Sequence, residues 1–98
     1  MSEFVWLGIA GGVQPSLTCG DLVLVKTAVR DEGTSHHYLP AAAIVAASPA
    51  LTERLETAVR AANLPLHIGP TWTTDAPYRE TAAAVAHYQA QGVQTVEM

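Results

Sequence analysis

The stretch Leu-Val-Leu-Val-Lys-Thr-Ala-Val at residues 22–29 decides the fold class. It is rich in β-branched residues and follows a Gly-Asp turn signal, a pattern typical of a buried strand. Working outward, apolar runs predict an earlier strand over residues 4–10, a later one over residues 66–74 and a last one over residues 93–98. Pro70 cannot donate a backbone hydrogen bond, so it predicts a bulge or a sheet edge within the third of these strands.

Helical patterns separate the later strands. Ser48 and Pro49 predict a helix start, with the hydroxyl as cap and proline at the first position, and apolar residues follow at helical spacing. Asp75 is expected to cap a second helix over residues 77–91, which Gly92 would end.

The element order strand, strand, helix, strand, helix, strand indicates an α/β fold. We expect about four strands in a mixed or parallel sheet, covered by two main helices, in a single domain over residues 1–98. Residues 30–48 show no sustained period, so they predict a functional or interface loop, or in part an extension of the second strand.

The composition narrows the possible partners. Hydrophobic residues make up 49% of the chain and charged residues 14%, which leaves little polar surface and predicts a homo-oligomer. The net charge is −4 and the five Lys and Arg residues form no basic stripe, so nucleic acid is not expected as a partner. Cys19 is the single cysteine, which favours a reducing, cytoplasmic setting. No apolar stretch approaches the length of about 18 residues that a membrane span needs, so no membrane partner or leader is expected.

A glycine pattern follows the predicted first strand. Gly8, Gly11 and Gly12 would let backbone N–H groups approach a phosphate, or would simply form a tight turn. The spacing lacks the third glycine of a dinucleotide fingerprint and has no Gly-Lys-Ser/Thr. Gly8 is therefore only a weak candidate for phosphate binding.

The histidines do not predict a metal site. His36 and His37 are adjacent, and adjacent side chains on an extended segment point to opposite sides, so one ion could not easily use both. His67 lies in an apolar strand and His87 on a helix face, and both are expected to be structural.

The densest polar and aromatic cluster, TWTTDAPYR at residues 71–79, lies where a strand ends and a helix begins. Ligands of α/β sheets bind outside the carboxyl ends of strands, which makes this the best candidate site. The alternative is that Asp75 merely caps the helix while Trp72 and Tyr78 fill the core. Glu97 ends another apolar strand, where a carboxylate could accept hydrogen bonds from sugar hydroxyls or simply be solvated.

Three stretches together resemble nucleoside phosphorylases of the purine nucleoside/uridine phosphorylase superfamily. They are GIAGGVQP at 8–15 with GDLV at 20–23, RDEGTS at 30–35, and TTDAPY at 73–78 followed by VEM at 96–98. The resemblance implies part of the mixed sheet of that family and a pentosyltransferase reaction, in which phosphate attacks the anomeric carbon of a nucleoside and releases the free base. It implies phosphate as a co-substrate and no other cofactor.

The resemblance also implies a set of site residues for a nucleoside or nucleobase, with Tyr78 able to supply the ring that many relatives place at the position of Pro77. The positions that match nucleoside-binding residues are Ala10, Gly11, Thr73, Thr74, Pro77, Tyr78, Glu97 and Met98. No catalytic residue is assigned.

The same resemblance implies an incomplete phosphate site. Relatives place an Arg just before the first glycine and a Ser or Thr just after it, where this chain has Trp6 or Leu7 and then Ile9. The Glu that follows Met98 in relatives, their later Asp and their N-terminal glycine-rich loop are also expected to be missing. We therefore expect a phosphorylase-like protein that is incomplete alone, with a non-catalytic nucleoside- or base-binding module and a vestigial, self-associating structural domain as alternatives.

Overall fold

The computed structural model describes residues 2–98 as a five-stranded mixed sheet with two α-helices. The predicted α/β class is confirmed, with one strand more than expected. The elements are β1 (Gly11–Gly12), β2 (Leu22–Asp31), β3 (Ile44–Ala46), α1 (Pro49–Ala61), β4 (Leu66–Thr74), α2 (Ala82–Ala90) and β5 (Thr95–Glu97), with 3₁₀ turns at Ser35–His37 and Pro77–Arg79.

The sheet has the strand order β1-β5-β4-β2-β3. The central strands β2, β4 and β5 are parallel, whereas β1 and β3 pair antiparallel at the two edges. The carboxyl ends of the three parallel strands therefore meet at one end of the sheet, which we call the carboxyl edge.

The two long strands agree with the sequence patterns. β4 covers the predicted residues 66–74, and β2 extends beyond its predicted end to Asp31. The register passes from Val25 opposite Gly69 to Ala28 opposite Thr71, so two residues of β2 face one residue of β4. That residue is Pro70, and the missing N–H explains the bulge in a strand that is central in the sheet.

The predicted first strand is wrong. Residues 4–10 have no regular structure, and only Gly11–Gly12 pairs, opposite Val96 and Thr95. A strand requires a hydrogen-bonded neighbour, and β5 provides one over three residues only. The loop over residues 30–48 contains the additional strand β3, which pairs with β2.

The first helix begins as predicted, whereas the second does not. The Ser48 hydroxyl accepts a hydrogen bond from the Leu51 N–H at 3.4 Å. α2 begins only at Ala82, because residue 80 leaves the helical region at ψ 68° and separates the helix from the preceding 3₁₀ turn. Its cap is the Thr81 hydroxyl, which accepts from the Ala84 N–H at 3.2 Å, so the predicted capping role of Asp75 is wrong.

The core is small and lies between β4, β5 and α2. The buried apolar side chains within residues 2–98 are Val13, Trp72 and Val93. The Trp72 ring packs on the Tyr88 ring of α2 with centroids 4.5 Å apart. None of the helices in residues 2–98 is long and apolar enough to cross a membrane.

Candidate functional site

A row of three polar residues crosses the carboxyl edge. Arg30 of β2 is in register with Thr73 of β4, which is in register with Glu97 of β5. Residues in register on adjacent strands project from the same face of the sheet, so the guanidinium, hydroxyl and carboxylate share one face. The Thr73 hydroxyl donates a hydrogen bond to the Glu97 carboxylate. This hydroxyl and carboxylate, which we call the Thr73–Glu97 pair, are the hydrogen-bonding groups that a sugar diol requires.

A second threonine pair lies one step deeper on the same face. Thr71 and Thr95 are in register and buried, and the Thr95 hydroxyl donates to the Thr71 hydroxyl at 2.8 Å. The Thr71 hydroxyl donates in turn to the Thr95 backbone carbonyl at 3.2 Å. Because both hydroxyls have partners, the pair fixes β4 against β5 directly below the Thr73–Glu97 pair.

The Arg30 side chain is buried and holds the loop that follows β2. Its Nε donates to the Ser35 hydroxyl at 2.7 Å and its Nη1 to the Pro40 carbonyl at 2.8 Å, while its Nη2 is buried without a protein partner. The Ser35 hydroxyl and N–H donate in turn to the Glu32 carboxylate. These two hydrogen bonds from Ser35 lower the pKa of Glu32.

Two further hydrogen bonds at the carboxyl edge join β2 to β4 and the loops that follow them. The Trp72 indole N–H donates to the Asp31 carboxylate at 3.0 Å, and the Gly33 N–H donates to the Asp75 carboxylate at 2.9 Å. Asp75 thus joins two loops of the carboxyl edge instead of capping a helix. Trp72 does fill the core, whereas Tyr78 is 98% exposed, so the core role considered for Tyr78 is wrong.

The structure brings only some of the predicted nucleoside-binding residues together. Gly11 of β1 lies opposite Val96 of β5, so Ala10 and Gly11 lie beside the strand that carries Glu97. Thr73 and Glu97 are hydrogen-bonded, as described above. The assignment of these residues to a nucleoside stays a prediction.

The other predicted residues are in different environments. Thr74 is buried and its hydroxyl accepts from the Ala76 N–H at 3.2 Å, so it stabilises the turn after β4. Pro77 and Tyr78 form the exposed 3₁₀ turn beyond it, and Met98 is 74% exposed next to Glu97. Of these, Tyr78 has the free aromatic surface that stacking on a base requires.

Gly8, the weak phosphate candidate, lies outside this arrangement. It belongs to the irregular segment before β1, and a Cβ built on it would have the Trp6 indole nitrogen of the same segment as its nearest neighbour, at 3.3 Å. The structure therefore gives Gly8 no contact with the carboxyl edge.

The histidines lie outside the polar row of the carboxyl edge. His36 and His37 lie in the 3₁₀ turn after β2, and residues 2–98 contain no group of three side chains that could hold a metal ion. His67 lies 3.2 Å from the Asp21 carboxylate at the opposite end of β2 and β4. The Thr18 backbone N–H, more than His67, lowers the pKa of Asp21.

A separate groove of about 450 Å³ lies between α1 and the strands β2 and β3. Its lining includes the charged side chains of Lys26, Glu53 and Glu56, and the Lys26 ammonium lies 3.7 Å from the Glu56 carboxylate. Because Lys26 pairs with Glu56 and no lining residue belongs to the polar row, the groove is not part of the candidate site.

Sequence reasoning assigned no role to Arg30 or Gln14. The Gln14 amide donates to the Val93 carbonyl at 2.7 Å and to the Gln89 carbonyl at 3.1 Å, which fixes the segment after β1 on α2 and β5. Arg30 could have been found from its position, since it ends the apolar run of β2 as Glu97 ends that of β5. Nothing in the sequence alone indicated the contacts of Gln14.

A sheet whose central strands are parallel and carry hydrogen-bonding side chains at their carboxyl ends is typical of ligand-binding α/β proteins. A family model described as the phosphorylase superfamily matches residues 1–98. Uridine phosphorylase of Thermococcus kodakarensis is 37% identical over 75 residues, which cover 76% of this chain and 27% of that protein. Uridine phosphorylase of Salmonella typhimurium is 28% identical over 109 residues, which cover 97% of this chain and 43% of that protein.

The solved structures agree with the sequence matches. A crystal structure of uridine phosphorylase from Vibrio fischeri, complexed with 6-hydroxy-1-naphthoic acid, matches with a TM-score of 0.82 and 26% identity, over 91% of this chain and 37% of that one. The chain belongs to the phosphorylase superfamily, as the sequence resemblance indicated. It spans between 27% and 43% of the length of the two curated relatives.

Proposed function

We propose that this chain binds a nucleoside or its free base at the carboxyl edge, and that it does not carry out phosphorolysis on its own. The observation that carries the proposal is the Thr73–Glu97 pair, placed in register on two parallel strands at their carboxyl ends. Membership of the phosphorylase superfamily and the similarity to uridine phosphorylases support a nucleoside as the ligand class.

The chemistry of the pair suits a ribose. An ionised carboxylate is an acceptor with two oxygens, so Glu97 can accept from two neighbouring sugar hydroxyls, and charge-assisted hydrogen bonds of this kind are the strong ones. Gly11 presents no side chain where β1 passes β5, and a Cβ there would come within 3.2 Å of the Val96 side chain. The exposed Tyr78 ring offers a stacking surface for the base.

The residues of this chain give little support for binding the phosphate that phosphorolysis requires. Its attack requires an anion held by cations or hydroxyl donors near the anomeric carbon. The positions that match phosphate ligands in the resemblance carry Trp6 or Leu7 and then Ile9, none of which can supply a cation or a hydroxyl. The proposal is therefore binding without turnover, with phosphate as a co-substrate only if another chain or segment supplies its ligands.

Calorimetric titration with uridine and with uracil tests the proposal. We expect Thr73→Val and Glu97→Gln each to weaken uridine binding by about tenfold, which corresponds to about 1.4 kcal/mol. Thr57→Val and Glu53→Gln on the exposed side of α1 make the same chemical changes away from the site and should leave the affinity unchanged. Equal affinities for all four variants, or no binding by the unmodified chain, would contradict the proposal.

A structural, self-associating role is the second candidate function. It is favoured by the small core and by the exposed apolar residues 4–9. If neither uridine nor uracil produces heat or a thermal shift, this second role remains.

A further inference from the structure

Thr71 and Thr95 lie two residues before Thr73 and Glu97 on the same two strands, and we call them the buried threonine pair. Side chains two residues apart on a strand project from the same face, so this pair forms the layer next to the proposed ligand site. Thr71 is 4% exposed and Thr95 is 6% exposed, so neither hydroxyl is available to a ligand. Any contribution of the pair to binding must therefore act through the strands.

Two hydrogen bonds connect the buried threonine pair, and both depend on the Thr71 hydroxyl. It accepts from the Thr95 hydroxyl at 2.8 Å and donates to the Thr95 backbone carbonyl at 3.2 Å. Burying a hydroxyl costs free energy unless it is hydrogen-bonded, whereas a valine of nearly the same shape carries no such cost. Valine at both positions would therefore serve apolar packing, and the hydroxyls add a directional contact between β4 and β5.

This contact specifies the register between the two strands. On the opposite face of the sheet, Trp72 is in register with Val96, which packs against the apolar core. A slip of one residue would exchange the two faces and turn the Glu97 carboxylate toward the core, so apolar packing already opposes it. A slip of two residues leaves every side chain on its own face but separates Glu97 from Thr73. The hydrogen bonds of the buried threonine pair join its two members only in the native register, so they oppose this second slip.

We propose that Thr71 and Thr95 are positioning residues, whose hydrogen bonds hold the Thr73 hydroxyl and the Glu97 carboxylate in the arrangement that binds a sugar diol. The inference deepens the proposed function and rests on it for the class of ligand. Its effect on the Thr73–Glu97 pair is present without a ligand, so that part can be tested independently.

Calorimetric titration with uridine tests the effect on binding. Thr71→Val removes both hydrogen bonds, and a double variant that adds Thr95→Val also removes the hydroxyl that the single substitution leaves buried without a partner. We expect each variant to weaken uridine binding by about fivefold, the factor that corresponds to one typical hydrogen bond. Thr71→Ser restores the hydroxyl and should bind uridine as the unmodified chain does.

Thr52→Val on α1 is the matched control. Thr52 is 6% exposed and its hydroxyl donates to the Ser48 carbonyl at 2.6 Å, so the substitution removes another buried threonine hydroxyl away from the carboxyl edge. Its uridine affinity should equal that of the unmodified chain, while urea unfolding compares the stabilities of the variants. An equal loss of uridine affinity in Thr52→Val and Thr71→Val would reveal general destabilisation and overturn the positioning role.

The carboxyl-carbon NMR signal of Glu97 gives a second readout, measured without nucleoside. Thr73→Val removes the hydroxyl that donates to this carboxylate and so defines the signal of the unbonded group. The double variant should move the signal toward that reference, whereas Thr71→Ser and Thr52→Val should leave it in place. An unmoved signal in the double variant would overturn the inference, as would a Thr71→Ser chain that behaves like Thr71→Val.

The outcomes separate this inference from the proposed function. A chain that binds no uridine, but whose Glu97 signal moves in the double variant, would refute the proposed function and leave the positioning role intact. Uridine binding that is unchanged in the double variant would refute the positioning role and leave the proposed function intact.

Discussion

At the scale of single residues, position along a strand predicted more than residue type did. Thr73 and Glu97 lie near the carboxyl ends of apolar strands and match nucleoside-binding positions in the family resemblance, and the structure joins them by a hydrogen bond. The contacts of Arg30 could not be predicted, because its partners Ser35 and Pro40 depend on the path of a loop that has no periodic pattern.

Ser35→Ala tests the network behind the polar row. The substitution removes the hydroxyl that donates to the Glu32 carboxylate, which is the largest cause of the lowered pKa of that group. We expect the pKa of Glu32 to rise toward its ordinary value, with the Ser35 backbone N–H preserving part of the effect. NMR titration of the Glu32 side chain measures this change, and an unaltered pKa would show that the hydroxyl does not act on the carboxylate.

Asp21 should make the folding stability of the chain decrease as the pH is lowered. Its pKa is lowered below the ordinary value of 3.8, chiefly by the Thr18 N–H. A group with a lowered pKa in the folded state stabilises the fold above its unfolded pKa, and this stabilisation is lost as the pH falls through the folded pKa. Urea unfolding between about pH 5 and pH 2 should therefore lose stability more steeply for the unmodified chain than for Asp21→Asn. Parallel pH profiles would contradict this role.

Among the secondary-structure elements, the strands that are rich in β-branched residues and pair with a neighbouring strand were predicted well. β4 matches its predicted bounds, and its proline produced the expected bulge. Residues 4–10 carry as strong a pattern but form no strand, because pairing depends on a neighbour that local sequence does not specify.

The start of α2 also depends on contacts that local sequence does not specify, and its cap can be tested. Both Asp75 and Thr81 are acceptable caps by residue type, but the Asp75 carboxylate accepts from the distant Gly33 N–H, and only Thr81 caps the helix. Thr81→Ala should lower the free energy of unfolding by about 1 kcal/mol and speed amide exchange in the first turn of α2. Asp75→Ala should leave exchange in that turn unchanged. Faster exchange there in Asp75→Ala would restore the role that sequence alone suggested.

For the whole molecule, the sequence predicted the α/β class, because strand and helix patterns follow one another along the chain. The placement of the core was less predictable, since it depends on one indole. Trp72 is 1% exposed, contacts Tyr88 and donates to Asp31.

Trp72→Ala should therefore cost about 3–5 kcal/mol, a large part of the total stability of a domain of this size. Tyr78→Ala removes an aromatic ring that is 98% exposed and should change the free energy of unfolding by less than about 0.5 kcal/mol. Urea denaturation followed by circular dichroism compares the two. Similar losses from both would contradict the placement of the core.

Binding of a nucleoside at the carboxyl edge and its cleavage can be measured together. A proton NMR time course of uridine with the purified chain in phosphate buffer reads binding and cleavage in one sample. We expect saturation transfer from the protein to uridine, with no uracil or ribose 1-phosphate above a protein-free blank. Growth of uracil signals above the blank would contradict it, as would uridine signals that the protein leaves unaffected.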